Sequence, residues 1–212
     1  MEVFCIHLPQ RTDREENLKK IDRLYPSLRL TVVEGIKHEN GAIGCLLSHQ
    51  KIVRMAKEQG RPYVWVIEDD CKFLPTNGAV LSYGRVIAKF LTDNPMVEVV
   101  NGCGNLAVYE ISSVQKIKDL FFLTTPKVFT THCVFYSASA YDKILAFDTS
   151  EAIDCAINRL KMVFTWPFLA TQVESYSDIS EKDVNYNNIG LSNDFIIKSL
   201  QENRLIENHL ID

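Results

Sequence analysis

Short apolar runs alternate with amphipathic stretches through the first hundred residues, and that alternation predicts the architecture. Residues 3–8 are mostly apolar and stop at Pro9, as a short buried strand does. Thr12 or Asp13 stands where it can cap a polar helix with Leu18, Ile21 and Leu24 facing inward. Residues 28–33 read as a second strand. Residues 41–59 read as a helix with Ile43, Leu46, Leu47, Val53 and Ala56 largely on one side. Gly60 suits the position just past its end, and Pro62 follows. The run Tyr63-Val64-Trp65-Val66-Ile67 predicts a buried strand, 79–91 a helix and 97–100 a further strand. This order implies an α/β fold with a mostly parallel central sheet flanked by helices on both faces.

The second half is smaller and mixed. Residues 107–111, 120–129 and 133–136 read as strands. Ser139 is placed to cap a helix bearing Ile144 and Leu145. Residues 176–190, rich in Ser, Asp and Asn, read as a mobile loop. Ser192 or Asn193 can cap a last helix through Phe195, Ile196, Leu200 and Leu205. No internal repeat or linker interrupts the chain, so residues 1–212 read as one domain, made of 1–104, 105–179 and a loop-plus-helix tail 180–212.

Composition narrows the partners. The net charge of −4 lacks the basic excess of a nucleic-acid binder. A small nucleotide diphosphate remains compatible, because a metal ion neutralises it locally. The apolar runs are too short for a transmembrane segment, and the N-terminus enters a strand pattern with no signal-peptide leader. The cysteines at 5, 45, 71, 103, 133 and 155 include no Cys-x-x-Cys pair. That argues against a zinc site and for reduced core thiols, which fits a cytoplasmic location.

The candidate chemistry sits at Glu68-Asp69-Asp70, directly after the buried strand. Ligands of parallel sheets bind at the carboxyl ends of strands. In extended chain, residues two apart point the same way, which puts Glu68 and Asp70 on one face. Three adjacent carboxylates repel unless a cation or hydrogen-bond donors compensate, and their hard oxygens suit Mn²⁺ or Mg²⁺. The alternative is a solvated acidic turn. Residues 41–49 (GAIGCLLSH) place two glycines at a helix start, for close approach of a ligand or for tight packing on the sheet. Arg11 and Arg14 follow the first strand, either to meet phosphate or a uracil edge or as an exposed helix start. Tyr63 and Trp65 read as core, and Asn101-Gly102-Cys103-Gly104 either as a lining of the donor or acceptor sugar or as an ordinary turn.

In order, these segments resemble glycosyltransferase family 25, the lipopolysaccharide- and collagen-type galactosyltransferases. The resemblance runs through Leu8-Pro9, Asp13-Arg14, residues 41–49, the strand into Glu68-Asp69-Asp70, residues 131–137 (THCVFYS), Ile153-Asp154, Pro167, Gln172 and Ser177-Asp178-Ile179. It covers residues 3–179; Gly41-Ala42 stands where the family usually has Gly-Glu, and the chain is short for the family. The resemblance implies a GT-A type nucleotide-binding fold, with the donor site in 1–104 and the acceptor side in 105–179. It implies a metal-dependent, inverting transfer of a hexose from a UDP-sugar to a glycan or glycoprotein. The donor site it implies is Leu8, Arg11, Arg14, Gly44, Glu68 and Asp69, with Glu68 near the ribose. Asp70 and Glu68 would hold the metal. His132 would be a third ligand, an acceptor contact or a strand-end histidine. Asp154 would be the general base or a helix N-cap, with Glu151 as its rival. His49 reads as a structural hydrogen-bonding residue, and Tyr176, Ser177 and Asp178 as a loop closing over the donor. An inactive nucleotide-sugar or glycoprotein binding module of the same fold is the alternative. A metal phosphohydrolase ranks last.

Overall fold

The computed structural model describes residues 1–103, 105–106, 110–125, 127–177, 182–184 and 188–205. In chain order the strands are β1 (Glu2–His7), β2 (Arg29–Glu34), β3 (Tyr63–Glu68), β4 (Cys71–Phe73), β5 (Val99–Asn101), β6 (Asn105–Leu106), β7 (Ser113–Ile117), β8 (Leu120–Thr124), β9 (Val128–Phe129), β10 (Cys133–Ser137), β11 (Met162–Trp166), β12 (Ala170–Gln172), β13 (Ser175–Ser177) and β14 (Lys182–Val184). The α-helices are α1 (Glu15–Leu24), α2 (Gly41–Glu58), α3 (Asn77–Asp93), α4 (Tyr141–Leu145), α5 (Ile153–Ala156) and α6 (Asn188–Glu202).

Eight strands form one sheet in the order β2-β1-β3-β10-β5-β11-β8-β7. The expected mostly parallel sheet is a mixed one. β1 pairs in parallel with β2 and β3, and β5 with β11. β10 runs antiparallel between β3 and β5, and β8 runs antiparallel to both β11 and β7. Alternation along β3 splits the core. Trp65 and Ile67 face α1 and α3 with Ile21, Val80, Ile87 and Phe90, whereas Val64 and Val66 face α2 and α4 with Leu46, Val53 and Ile144. A third cluster, with Phe121, Leu123, Phe164 and Phe168, lies under Ile196 and Leu200 of α6.

α2 has a complete set of end signals. Asn40 Oδ1 accepts from the backbone N–H groups of Ala42 (3.0 Å) and Ile43 (3.4 Å). At the other end Gly60 takes φ +61°, with Gly60 N–H bonded to Lys57 O and Arg61 N–H to Ala56 O. That pair of bonds needs a residue free to turn left-handed, and glycine supplies it.

Several local expectations differ from the structure. Thr12 and Asp13 do not cap α1; they lie in a 3-10 turn ahead of it. Leu24 is exposed, because α1 ends there and Tyr25 turns in against Phe73 instead. Residues 120–129 hold two strands, not one, and β7 is an addition to the expected elements. Ser139 lies within a 3-10 turn and bonds Ser137, leaving Ala140 at the start of α4. α6 begins at Asn188, ahead of Ser192 and Asn193. Within the expected loop at 176–190 the described residues belong to β13, β14 and the start of α6, and within the expected strand at 107–111 residues 110–111 are not in a strand; residues 107–109, 178–181 and 185–187 lie outside the described residues, as does Gly104. Among the described residues, no helix is long and apolar enough to cross a membrane.

Candidate functional site

β1 and β3 are parallel neighbours, with Ile6 opposite Glu68. Their carboxyl ends therefore deliver the segment after His7 and the acidic cluster to the same edge of the sheet. The start of α2 closes that edge from the side of β2. The result is a cleft of about 220 Å³. Leu8, Arg11, Arg14, Gly44, Glu68, Asp69 and Asp70 all line it. His132 and Asp154 do not.

The three acidic residues do not face one way. The strand ends at Glu68 and the chain turns through Asp69 and Asp70, so extended alternation stops there. Glu68 looks towards α2: its Oε1 accepts from Thr131 Oγ1 at 2.8 Å and lies 3.5 Å from His49 Nε2. Asp69 and Asp70 look towards α1. Asp69 Oδ2 is 2.8 Å from His7 Nδ1 and Oδ1 is 2.5 Å from Arg14 Nη1. Asp70 Oδ2 is 3.3 Å from both Arg14 Nη2 and Gln172 Nε2. The turn itself is pinned by Asn17, whose Nδ2 donates to the carbonyls of Asp69 and Cys71 at 2.8 and 2.9 Å. Val173 N–H donates to Asp70 O at 2.8 Å.

This environment sets the two carboxylic acids apart. Burial first, then the charge of Glu68, pushes Asp70 up to about 7, against the pull of Arg14. Burial also raises Glu68, but the hydrogen bond and charge of His49 outweigh it and hold that carboxyl well below its usual range. Burial brings His132 down to about 4, so its ring is neutral near pH 7. Asp70 Oδ1, Gln172 Oε1 and both ring nitrogens of His132 are buried without hydrogen-bond partners. An unpartnered buried carboxylate oxygen is a hard donor of the kind that suits a divalent cation, while the Gln172 atom facing Asp70 is its amide nitrogen. Glu68, Asp70 and His132 do not bring three ligand atoms together. Among the described residues, the grouping that does so within 4.8 Å is Cys45, His49 and Glu68.

Gly44 is required by packing. A Cβ there would stand 2.7 Å from Ile36 O, and the same loop is held by Ser48, whose Oγ accepts from Ile36 N–H and donates to Gly44 O. Arg11 chelates Asp13 through Nε and Nη2, and both Arg11 and Arg14 donate to Tyr176 O, which ties the start of β13–β14 to the cleft rim. Asp178 lies outside the described residues. Asn101, Gly102 and Cys103 are buried and do not line the cleft. Trp65 is core, whereas Tyr63 is only partly buried.

Asp154 sits in the first turn of α5, whose N-cap is Ala152, so the capping role does not hold. It lies close enough to Cys45 for its charge to raise that thiol. Its rival Glu151 is paired with Arg159. His7 is a site residue that the sequence pattern does not single out. The signal for it is positional: the residue after Ile6 at the end of β1 falls beside the cluster once β1 and β3 are neighbours.

No family model matches the sequence, and no curated protein does. Among solved structures the chain is similar to A197 from STIV, at 13% identity and TM-score 0.44, over 88% of this chain and 94% of that one. It is similar to a glycosyltransferase involved in glycosylation of the major capsid of PBCV-1, at 14% identity and TM-score 0.39, over 68% of this chain and 62% of that one. It is also similar to mannose-1-phosphate geranyltransferase from Thermus thermophilus, at 14% identity and TM-score 0.33, over 68% of this chain and 51% of that one. Likeness at this level assigns neither a fold family nor an activity.

Proposed function

We propose that this chain is a metal-dependent, inverting glycosyltransferase of the GT-A type, related to family 25, that moves a hexose from a UDP-sugar to a glycan or glycoprotein acceptor. One observation carries the reading. The Glu68-Asp69-Asp70 cluster opens into a cleft with Leu8, Arg11, Arg14 and Gly44, and Asp70 Oδ1 is buried there without a partner.

In this reading Leu8 offers an apolar wall to the base, and Arg11 and Arg14 meet the diphosphate or the uracil edge. Glu68 takes the ribose. Asp69, fixed by His7 and Arg14, holds the turn so that Asp70 presents its free oxygen. Asp70 would hold Mn²⁺ or Mg²⁺, which would supply charge neutralisation to the leaving nucleoside diphosphate. Asp154 is the base for the acceptor hydroxyl, and inversion requires it on the face opposite the departing nucleotide. His132, neutral and buried, is an acceptor contact.

A second reading, a nucleotide-sugar binding module without transfer, is favoured by the place of Asp154 outside the cleft lining. A donor screen separates the two. Purified protein is tested with UDP-, GDP- and CMP-sugars, with and without Mn²⁺, for thermal shift and release of free nucleotide. Stabilisation and turnover by a UDP-sugar only with metal, both lost in Asp70→Ala, support the transferase. Binding without release supports the module. No binding of any nucleotide sugar refutes both.

A further inference from the structure

Cys45 and His49 stand one helical turn apart on α2, so they share a face of that helix. The face looks at the carboxyl end of β3, where Glu68 ends the strand. One ligand atom of each residue lies within 4.8 Å of the other two. His49 is fully buried, and its Nδ1 lies 3.0 Å from the Tyr136 hydroxyl, itself fully buried. With the Nδ1 hydrogen directed at Tyr136, Nε2, 3.5 Å from Glu68 Oε1, is the ring nitrogen at which a metal would take the place of a hydrogen. That separation is long for a charge-assisted hydrogen bond, which runs at about 2.7–2.9 Å. It matches the edge between two ligands of a tetrahedral metal, which bonds of about 2.0–2.2 Å place roughly 3.4 Å apart. A ring whose second nitrogen is anchored by a polar partner is also how metal-ligating histidines are held.

We propose that Cys45, His49 and Glu68 form a second, softer cation site for Zn²⁺ or a like borderline ion, with an open fourth position facing the cleft that Cys45 and Glu68 line. Thiolate and imidazole select such an ion over Mg²⁺ or Mn²⁺. On binding, the Cys45 sulfur and any hydrogen on His49 Nε2 give their protons to solvent, and the sulfur bonds the metal as thiolate with no change of oxidation state. Tyr136 is a positioning residue that fixes the His49 ring. The sequence argued against zinc because no Cys-x-x-Cys pair exists. A Cys-x-x-x-His turn plus a carboxylate from a neighbouring strand has no such signature. The site stands whether or not the donor reading is right. Where that reading holds, filling the site takes Glu68 from the donor, so Zn²⁺ inhibits a reaction that Mg²⁺ or Mn²⁺ supports.

The test is titration of the purified chain with Co²⁺, followed by the thiolate-to-cobalt charge-transfer absorption. One equivalent should produce the band, and Zn²⁺ should abolish it. Cys45→Ser and His49→Asn should lose it, while Cys155→Ser and Asp70→Asn keep it, which separates this site from the one at Asp70. Tyr136→Phe should keep the band with affinity about 10–100-fold weaker. A wild-type chain with no band, or a band that survives Cys45→Ser, overturns the proposal. A variant that fails to fold is replaced by alkylation of the wild type with peptide mapping. Zn²⁺ should shield Cys45 from iodoacetamide, and equal labelling with and without Zn²⁺ overturns the site.

Discussion

Arg14 reaches 55 residues along the sequence to set Nη1 2.5 Å from Asp69 Oδ1. The same guanidinium lies 3.3 Å from Asp70, and both aspartates are almost wholly buried. One cation thus compensates two carboxyl groups that sit side by side in sequence. Removing one partner of a buried pair leaves charge without compensation, which costs about 3 kcal/mol. Arg14→Gln should lose roughly that much in urea denaturation at neutral pH without divalent cation. Saturating Mg²⁺ should restore part of it, because the ion supplies the missing charge. A loss below about 1 kcal/mol would mean that the guanidinium is not what holds the aspartates.

Asp70 makes the cleft sensitive to pH. It ionises near 3.8 in the unfolded chain and near 7 in the folded one. Between those values the folded state keeps a proton that the unfolded state has released. Stability therefore falls as pH rises from about 4 to about 7 and levels above that. A cation at Asp70 must displace that proton, so its affinity should be about tenfold weaker at pH 6 than at pH 8. Thermal melts with and without Mg²⁺ at the two pH values measure this. Asp70→Asn should flatten the slope and remove the Mg²⁺ response. A Mg²⁺ response equal at both values would put the ion elsewhere.

The part of the fold that was legible is the first hundred residues, whose sheet strands run parallel; β11, which is parallel to β5, was not among the expected strands. β1, β2, β3 and β5 are separated by helices with recognisable ends, and α2 is bounded by Asn40 and Gly60. The antiparallel insertion of β10 was not legible, because strand direction leaves no mark on a segment buried on both faces; Cys133-Val134-Phe135-Tyr136-Ser137 reads the same either way. The β7–β8 hairpin was hidden for another reason. Its two-residue turn is Lys118-Asp119, with Lys118 at φ +55°, and neither residue is the glycine or asparagine that usually announces such a turn. At the site, the residues between 8 and 70 were readable because they punctuate strand ends. Their pairings were not. Asp69 with His7, and Glu68 with His49, depend on which strands become neighbours.

Two glycines on different helices give a contrast in sign. A Cβ at Gly44 would meet Ile36 O at 2.7 Å, and a backbone oxygen cannot swing aside. Gly44→Ala should cost about 1–3 kcal/mol through overpacking. It should also weaken whatever binds the cleft, since Ile36, Lys37 and His38 form part of its wall. Gly78, in the first turn of α3, has nothing within 4 Å of the same position. Gly78→Ala should be neutral or stabilise by about 0.5–1 kcal/mol, because alanine loses less backbone entropy in a helix. Melting temperatures that fall for both, or for neither, would contradict the packing assigned to Gly44.

In the proposed transferase reading, Asp154 is the residue that separates transfer from mere binding. It is half-buried in the first turn of α5, it does not cap that helix, and its side chain is not part of the donor cleft. A base that serves the acceptor has no need to touch the donor. Asp154→Asn keeps the shape of the side chain and removes its basicity. It should leave UDP-sugar binding unchanged, as read by thermal shift, and lower the rate of nucleotide release about 10²–10⁴-fold. Glu151→Gln, which loses only the pairing with Arg159, should change that rate no more than a few-fold. Equal losses in the two variants would point to a shared effect on α5. A full rate in Asp154→Asn would leave the proton of the acceptor hydroxyl to another group, and His132, neutral and unpartnered behind the cluster, would be the next to test.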